Sequence, residues 1–150
     1  MKTKLLNDRA GAHTYAVVFE KGDEVVRGLT EFAERHGLAA SHLTGIRAFE
    51  RVTLGYFERE RKEYRKIPLH EQVEVLSLVG DIVRKDGKPA LHAHVVVGKA
   101  DGTAHGGHLL EAHVWPTLEV VLVETPRYLY RRYDPATGLA LIQPDDSDGA

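Results

Sequence analysis

Apolar residues occupy both faces of several strand-like segments, although the sequence contains only one clear amphipathic helix. Residues 75–79 and 120–123 are the strongest examples. Alternate residues of a strand face opposite sides of a sheet, so these segments need apolar cover on both sides. One short helix cannot cover two sheet faces in a chain of 150 residues. We therefore expect the second face to pack against another copy of the chain. The alternative is a sheet that closes on itself as a barrel.

The order of the predicted elements is one strand, one helix and then many strands. The helix is predicted over residues 23–36, with Asp23 as its N-cap and Gly37 ending it in the left-handed conformation. This order indicates an α+β fold, with a mainly antiparallel sheet and few helices. The predicted strands span residues 15–20, 43–49, 52–57, 73–83, 90–98, 103–110 and 118–125, and a last hairpin joins 127–133 to 138–142.

Residues 1–150 are predicted to form a single domain, because no linker or low-complexity segment divides them. We expect the core to span about residues 13–143, followed by an acidic tail over residues 144–150. No apolar run approaches the roughly 20 residues that a membrane-spanning helix needs. The first residues also lack the apolar core of a signal peptide, so the expected location is the cytoplasm.

Composition excludes several kinds of chemistry. The absence of cysteine removes disulfides, thiolate nucleophiles and zinc sites built on sulfur. No serine lies in a Gly-x-Ser-x-Gly motif. A net charge of −2 gives no general attraction to nucleic acid, so DNA binding would need a local basic patch. The alternating arginines and tyrosines of residues 127–133 fit either such a patch or a charged edge strand.

Histidine is the abundant chemical group, with nine in the chain and five between residues 92 and 113. His92 and His94 lie two apart in a predicted strand, so their side chains share a face. A three-residue loop at residues 100–102 would place His94 opposite His108, whereas a two-residue turn would direct His108 to the other face. The first register predicts a divalent metal site, most naturally zinc, with an open fourth position. Otherwise these are strand histidines that bind nothing.

Four further residues are predicted to line a ligand pocket at this site. Paired glycines allow backbone to pass close to a ligand, although they also mark β-bulges. Glu111 and Glu119 are the nearby carboxylates, and each fits a solvated face or an ion pair as well as a catalytic role. The pocket residues are Gly106, Gly107, His113 and Glu119.

An ordered set of motifs resembles the PPC (plants and prokaryotes conserved) domain family from about residue 15 to residue 133. The matching segments are Thr-Gly-Ile-Arg-Ala at 44–48, Leu-Gly-Tyr-Phe at 54–57, Glu-Val-Leu-Ser-Leu-Val-Gly-Asp at 74–81, Leu-His-Ala-His at 91–94, Gly-Gly-His-Leu at 106–109 and Pro-Thr-Leu-Glu-Val at 116–120. The resemblance implies an α+β homotrimer with a histidine-lined metal site, usually taken as zinc. His92, His94 and His108 match the ligand positions.

The plant relatives carry AT-hooks, and the family is commonly described as DNA-binding for that reason. This sequence has no Arg-Gly-Arg-Pro segment. Two hypotheses about function follow. The first is a homotrimeric metal-binding protein with a regulatory or DNA-associated role. The second is a zinc-dependent enzyme that acts on a small molecule in an intersubunit pocket lined by three histidines.

Overall fold

The structure is a computed structural model and describes residues 1–144. Most of the predicted acidic tail, residues 145–150, lies outside the described residues. Within residues 1–144, no helix has the length and apolar character needed to cross a membrane. The elements are β1 (Lys2–Arg9), β2 (Ala12–Glu20), α1 (Val25–His36), β3 (Ala40–Glu58), β4 (Glu63–Leu69), β5 (Val73–Lys85), β6 (Lys88–Gly98), β7 (Ala104–Glu124), β8 (Tyr130–Asp134) and β9 (Leu139–Gln143).

The strands form one sheet that closes on itself. Its order is β1-β2-β7-β3-β5-β8-β9, β4 extends from β3, and β6 pairs with both β5 and β7. The pairs β7–β3, β3–β5, β5–β6 and β6–β7 therefore form a closed ring, and the short β5–β8 pairing is parallel. The predicted α+β class with a mainly antiparallel sheet is confirmed. Closure, the alternative to an oligomer considered above, accounts for part of the two-sided apolar pattern.

Helix α1 covers one face of the sheet with its apolar stripe. Leu29 and Phe32 are fully buried there, together with Val25 and Ala33. They join one continuous core that includes Phe19, Phe49 and Leu122 from three strands. The helix shields this face from solvent. The histidines described below lie on the opposite, outer face of the sheet.

The N-terminus of α1 differs from the sequence prediction. Glu24 is the N-cap, and its carboxylate accepts hydrogen bonds from the backbone N–H of Val26 and of Arg27. Asp23 was the wrong choice, because its carboxylate instead accepts from Glu20 N–H and lies 2.7 Å from the Met1 amino group. Gly37 is confirmed as the C-cap, with φ of 63°.

Two pairs of predicted strands are each one long strand. Residues 43–49 and 52–57 are parts of β3, and the predicted strands 103–110 and 118–125 both lie in β7 except for their outermost residues, 103 and 125. The β3–β7 register shifts at three places, which lets two long strands bend without breaking. Strand β1 was not predicted. Its exposed side chains show no apolar alternation, and it is held by pairing with β2.

Candidate metal centre

The β6–β7 turn sets the register of the candidate ligands. Lys99 N–H donates to Thr103 O at 2.9 Å, and Gly102 N–H donates to Lys99 O at 2.9 Å. Gly102 has φ of 81°, and Asp101 Oδ1 accepts from Thr103 N–H. This is the three-residue loop that the sequence analysis preferred over a two-residue turn. As a result, His94 lies directly opposite His108.

The three predicted histidine ligands converge on the outer face of the sheet. The ring centroids of His92 and His94 are 5.0 Å apart, and that of His108 lies 4.9 Å from the first and 5.4 Å from the second. Each ring offers one nitrogen, and these three nitrogens lie within 4.8 Å of one another. His105 is paired with Val97 and therefore faces the other side of the sheet.

The state of the rings suits a divalent cation. Burial, together with the charges of His92, His94 and Arg131, lowers the pKa of His108 to about 4. Burial also lowers the pKa of His92, assisted by Arg131 and His94 and opposed by Asp81. Both rings are therefore neutral at pH 7, as metal coordination requires. Buried Nδ1 of His108 has no hydrogen-bond partner among the described residues, so the donor set fits a metal ion.

A cavity of about 680 Å³ opens over the three rings. Its walls come from β3, β4, β5, β6, β7 and the β8–β9 hairpin, and most of the lining side chains are apolar. Tyr64 forms one wall and stacks on His108, with ring centroids 4.6 Å apart and an interplanar angle of 25°. The other lining residues are Gly55, Tyr56, Phe57, Lys85, Ala90, Leu91, His92, His94, Gly107, Arg131, Leu139, Ala140, Leu141 and Ile142.

An ion pair next to the histidines was missed by the sequence analysis. Asp81 of β5 lies opposite His92, and Arg131 of β8 reaches it across the parallel β5–β8 contact. Arg131 Nη2 lies 2.8 Å from Oδ1 and 2.9 Å from Oδ2 of Asp81. The side chain of Arg131 is only 9% exposed. The alternating Arg-Tyr pattern gave no sign that one arginine turns inward.

Only one of the four predicted pocket residues lines this cavity. Gly107 lines it, and its backbone passes close to β3, since a Cβ there would lie 2.8 Å from Gly55 O. Its neighbour Gly106 pairs with Val96 outside the cavity wall.

The other two predicted residues lie on different parts of the surface. His113 is bonded to Glu111 at 2.9 Å in a separate small pocket beside Arg51. Glu119 pairs with Arg47 at 3.0 Å in a groove on the outer sheet face. Within one described chain, neither Glu111 nor Glu119 stands beside the histidines.

Residues 7–126 match the family of the Plants and Prokaryotes Conserved (PCC) domain, also abbreviated PPC. The chain belongs to this family. The match contains all three histidines, whereas the β8–β9 hairpin lies beyond its end.

Solved PPC-like structures are similar over nearly the whole fold. A metal-containing protein from Archaeoglobus fulgidus is 39% identical, with a TM-score of 0.79 over 85% of this chain and 91% of that one. A PPC protein from Pyrococcus horikoshii is 33% identical, with a TM-score of 0.82 over 95% and 94% of the two chains. A Ralstonia eutropha protein, named as a candidate DNA-binding protein, is 28% identical, with a TM-score of 0.83 over 93% and 95%.

Part of a much longer protein is also similar to this chain. The bifunctional protein GlmU of a Synechococcus strain is 33% identical over 132 residues, which is 85% of this chain. This chain spans about a fifth of the length of that relative. The similarity therefore concerns one part of a much longer protein.

Proposed function

We propose that this PPC protein binds one divalent metal ion, with zinc as the expected ion, through His92, His94 and His108. The observation that carries this proposal is the convergence of three ring nitrogens, one from each histidine, within 4.8 Å of one another. In addition, the buried Nδ1 of His108 has no hydrogen-bond partner among the described residues. Three neutral imidazoles are typical of zinc sites that keep a fourth position open. The metal-containing name of the Archaeoglobus fulgidus relative supports the same proposal.

Because the cavity lies over the three rings, an ion held by them would have room for a small molecule as its fourth ligand. When bound, such an ion supplies Lewis-acid activation of a water or carbonyl oxygen. The residues of the chain orient the rings and limit access of water: Tyr64 stacks on His108, and apolar side chains surround the mouth. Burial raises the pKa of Tyr64, so its hydroxyl stays protonated at neutral pH.

Metal analysis of single variants tests this proposal. His94→Ala should lose stoichiometric zinc, while the far-ultraviolet circular dichroism spectrum stays unchanged, because His94 is exposed and lies outside the core. His105→Ala is the matched control, since it removes the same ring from the opposite face of β7 and should retain zinc. Full metal content in His94→Ala, or loss of metal in His105→Ala alone, would contradict the assignment.

We also propose that the chain assembles as a homotrimer through an apolar groove on the outer sheet face. This outer groove contains Ile46, Leu76, Val79 and Val121, which are 56%, 56%, 49% and 47% exposed. Val79 lies opposite His94 in the β5–β6 register. A second copy seated in the groove would therefore stand next to the metal ligands, as an intersubunit site requires. The number three comes from the PPC resemblance.

Light scattering coupled to size exclusion tests the assembly. The wild type should have about three times the chain mass of 16.7 kDa. Leu76→Glu places a charge in the outer groove and should shift the mass towards the monomer, because an unpaired charge is costly to bury. Leu6→Glu is the control, since Leu6 is 53% exposed on β1, outside the groove. A monomeric wild type at micromolar concentration, or equal effects of the two variants, would contradict the proposal.

A DNA-associated or regulatory role is the second candidate. It is supported by the name of the Ralstonia eutropha relative. The charge of the chain gives little further support, because the net charge is −2 and Arg131 is turned inward to Asp81. Binding would therefore depend on a composite surface in the assembly rather than on the single chain.

A further inference from the structure

The charges that line the histidine cavity all have one sign. Two cationic side chains contribute to its wall, Lys85 at the end of β5 and Arg131 in β8, and the two residues are direct neighbours in the parallel β5–β8 pairing. Among the described residues that line the cavity, none is an aspartate or a glutamate. Asp81 lies outside this lining but pairs with Arg131, so the excess positive charge at the wall is that of Lys85. A ligand with negative charge is therefore favoured there.

Arg131 is positioned for recognition rather than for a solvated surface. Its side chain is 9% exposed, and Asp81 holds it from one end. Both close contacts with Asp81 use the same guanidinium nitrogen, Nη2. A guanidinium is a planar fork of donors, and a carboxylate fits two of them side by side. Asp81 thus holds the guanidinium at Nη2, and neither Nη1 nor Nε takes part in this ion pair.

The rest of the cavity wall is mostly apolar, so the part of the ligand that contacts it should be apolar as well. The β9 side chains Leu139, Leu141 and Ile142 stand on one side, and Phe57 and Tyr64 stand on another. A cavity of about 680 Å³ lies within the range of small-molecule sites, in which a few polar groups orient a mostly apolar ligand. The cavity therefore combines one anion-binding end with an apolar interior.

We propose that the cavity binds a small organic carboxylate, with its carboxylate on Arg131 and its apolar body between the β4 and β8–β9 walls. This identifies the ligand class at the proposed metal site, and only the histidine end of the cavity rests on the proposed function. Arg131 and residues 139–142 lie beyond the segment matched to the PPC family. The β8–β9 hairpin supplies both Arg131 and the apolar β9 side chains of the wall, so it is the element that would select the ligand.

Isothermal titration of zinc-loaded full-length protein with benzoate tests the proposal. Benzyl alcohol and benzylamine are probes of nearly the same size with no charge and with positive charge. Benzoate should bind at least about tenfold more tightly than either, because hydrogen bonds between two charged groups are stronger than those to a neutral group. Equal affinities for the three probes, or no binding of benzoate, would overturn the proposal. Tighter binding of phenyl phosphate than of benzoate would also overturn the carboxylate assignment.

Single substitutions test whether the preference for benzoate depends on Arg131. Arg131→Gln should abolish the preference for benzoate over benzyl alcohol, and Arg131→Lys should keep only part of it, because lysine lacks the fork. Arg132→Gln makes the same change at the next position, where the side chain is exposed, and should keep the full preference. A benzoate preference that survives Arg131→Gln would overturn the role of the arginine.

Two further measurements separate this inference from the proposed function. Arg131→Gln leaves Asp81 without its partner, so Asp81→Asn combined with Arg131→Gln removes both members of the ion pair and should also lose the benzoate preference in a folded protein. Zinc content is measured for every variant. Normal zinc without any carboxylate preference contradicts the inference alone. Absence of zinc from the wild type contradicts the proposed function, and titration of that metal-free protein still decides whether Arg131 selects benzoate.

Discussion

Adjacent glycines in β7 allow a sharp test of how the metal ligands are held. A Cβ added at Gly107 would lie 2.8 Å from Gly55 O in β3 and 3.3 Å from the Cβ of Leu54. Backbone cannot rotate away, so β3 and β7 would have to separate by roughly 0.6 Å to restore ordinary contact. A Cβ added at Gly106 would meet Val96 Cγ2 at 3.3 Å and Val95 O at 3.4 Å, which is close to ordinary packing. Gly106→Ala is therefore the matched control for Gly107→Ala.

The expected magnitude follows from that overlap. Overpacking of this kind costs about 1–3 kcal/mol, which for a chain of this size lowers Tm by roughly 2–4 °C per kcal/mol. Gly106→Ala should change stability by no more than about 0.5 kcal/mol. Because His108 directly follows Gly107, a strand separation of this size would move the His108 ring by about as much as a binding site tolerates, roughly 0.5 Å. We expect zinc affinity to fall at least about tenfold in Gly107→Ala and to stay unchanged in Gly106→Ala.

Two assays at one protein concentration check this prediction. Urea unfolding of the metal-free proteins gives the stability difference, and zinc titration against a competing chelator gives the affinity difference. The common concentration removes the effect of subunit association on apparent stability. Equal destabilisation by the two substitutions would refute the reasoning, and so would normal zinc affinity in a destabilised Gly107→Ala protein.

The remaining predictions concern acid and DNA. His92 and His108 have lowered pKa values in the folded chain, about 4 for His108, so the unfolded chain binds more protons below its ordinary pKa of about 6.5. Metal-free protein should therefore lose stability as the pH falls from about 6.5 to 4, measured by urea unfolding, and a flat profile would contradict the burial of these rings. Zinc should also stay bound to a lower pH than the value near 6 expected for ordinary imidazoles, as measured by metal content after dialysis. Affinity for random duplex DNA should be weak at physiological salt, and submicromolar binding in an anisotropy titration would show a basic surface formed in the assembly.

The parts of the site that could be predicted from sequence depend on local geometry. Strand alternation puts His92 and His94 on one face, and the Ala-Asp-Gly loop before Thr103 sets the register that adds His108. All of this information lies within 17 residues, where turn chemistry fixes which side chains meet. The candidate ligands were predictable for that reason.

The walls of the cavity were not predictable, because they depend on contacts between distant segments. Arg131 and Asp81 are 50 residues apart in sequence and meet through a parallel pairing of two residue pairs. Tyr64 reaches His108 only because β4 and β7 both pair with β3. No turn residue or alternation encodes such a meeting. The prediction that Glu119 lines the pocket failed for the same reason. Its position in a strand does not show whether its side chain lies near the histidines.

The position of the β8–β9 hairpin bears on what can be transferred from relatives. The three histidines lie within residues 7–126, which match the PPC family, whereas Arg131 and the apolar β9 wall lie beyond that match but within a fold that a solved relative shares over 95% of this chain. At 33% identity, a relative with the same fold can still present different side chains along the wall that faces its ligand. A name given to such a relative describes the shared fold more reliably than the ligand of this chain. The residues that decide the ligand here are those of the hairpin, and substitutions at Arg131 address them without altering a histidine.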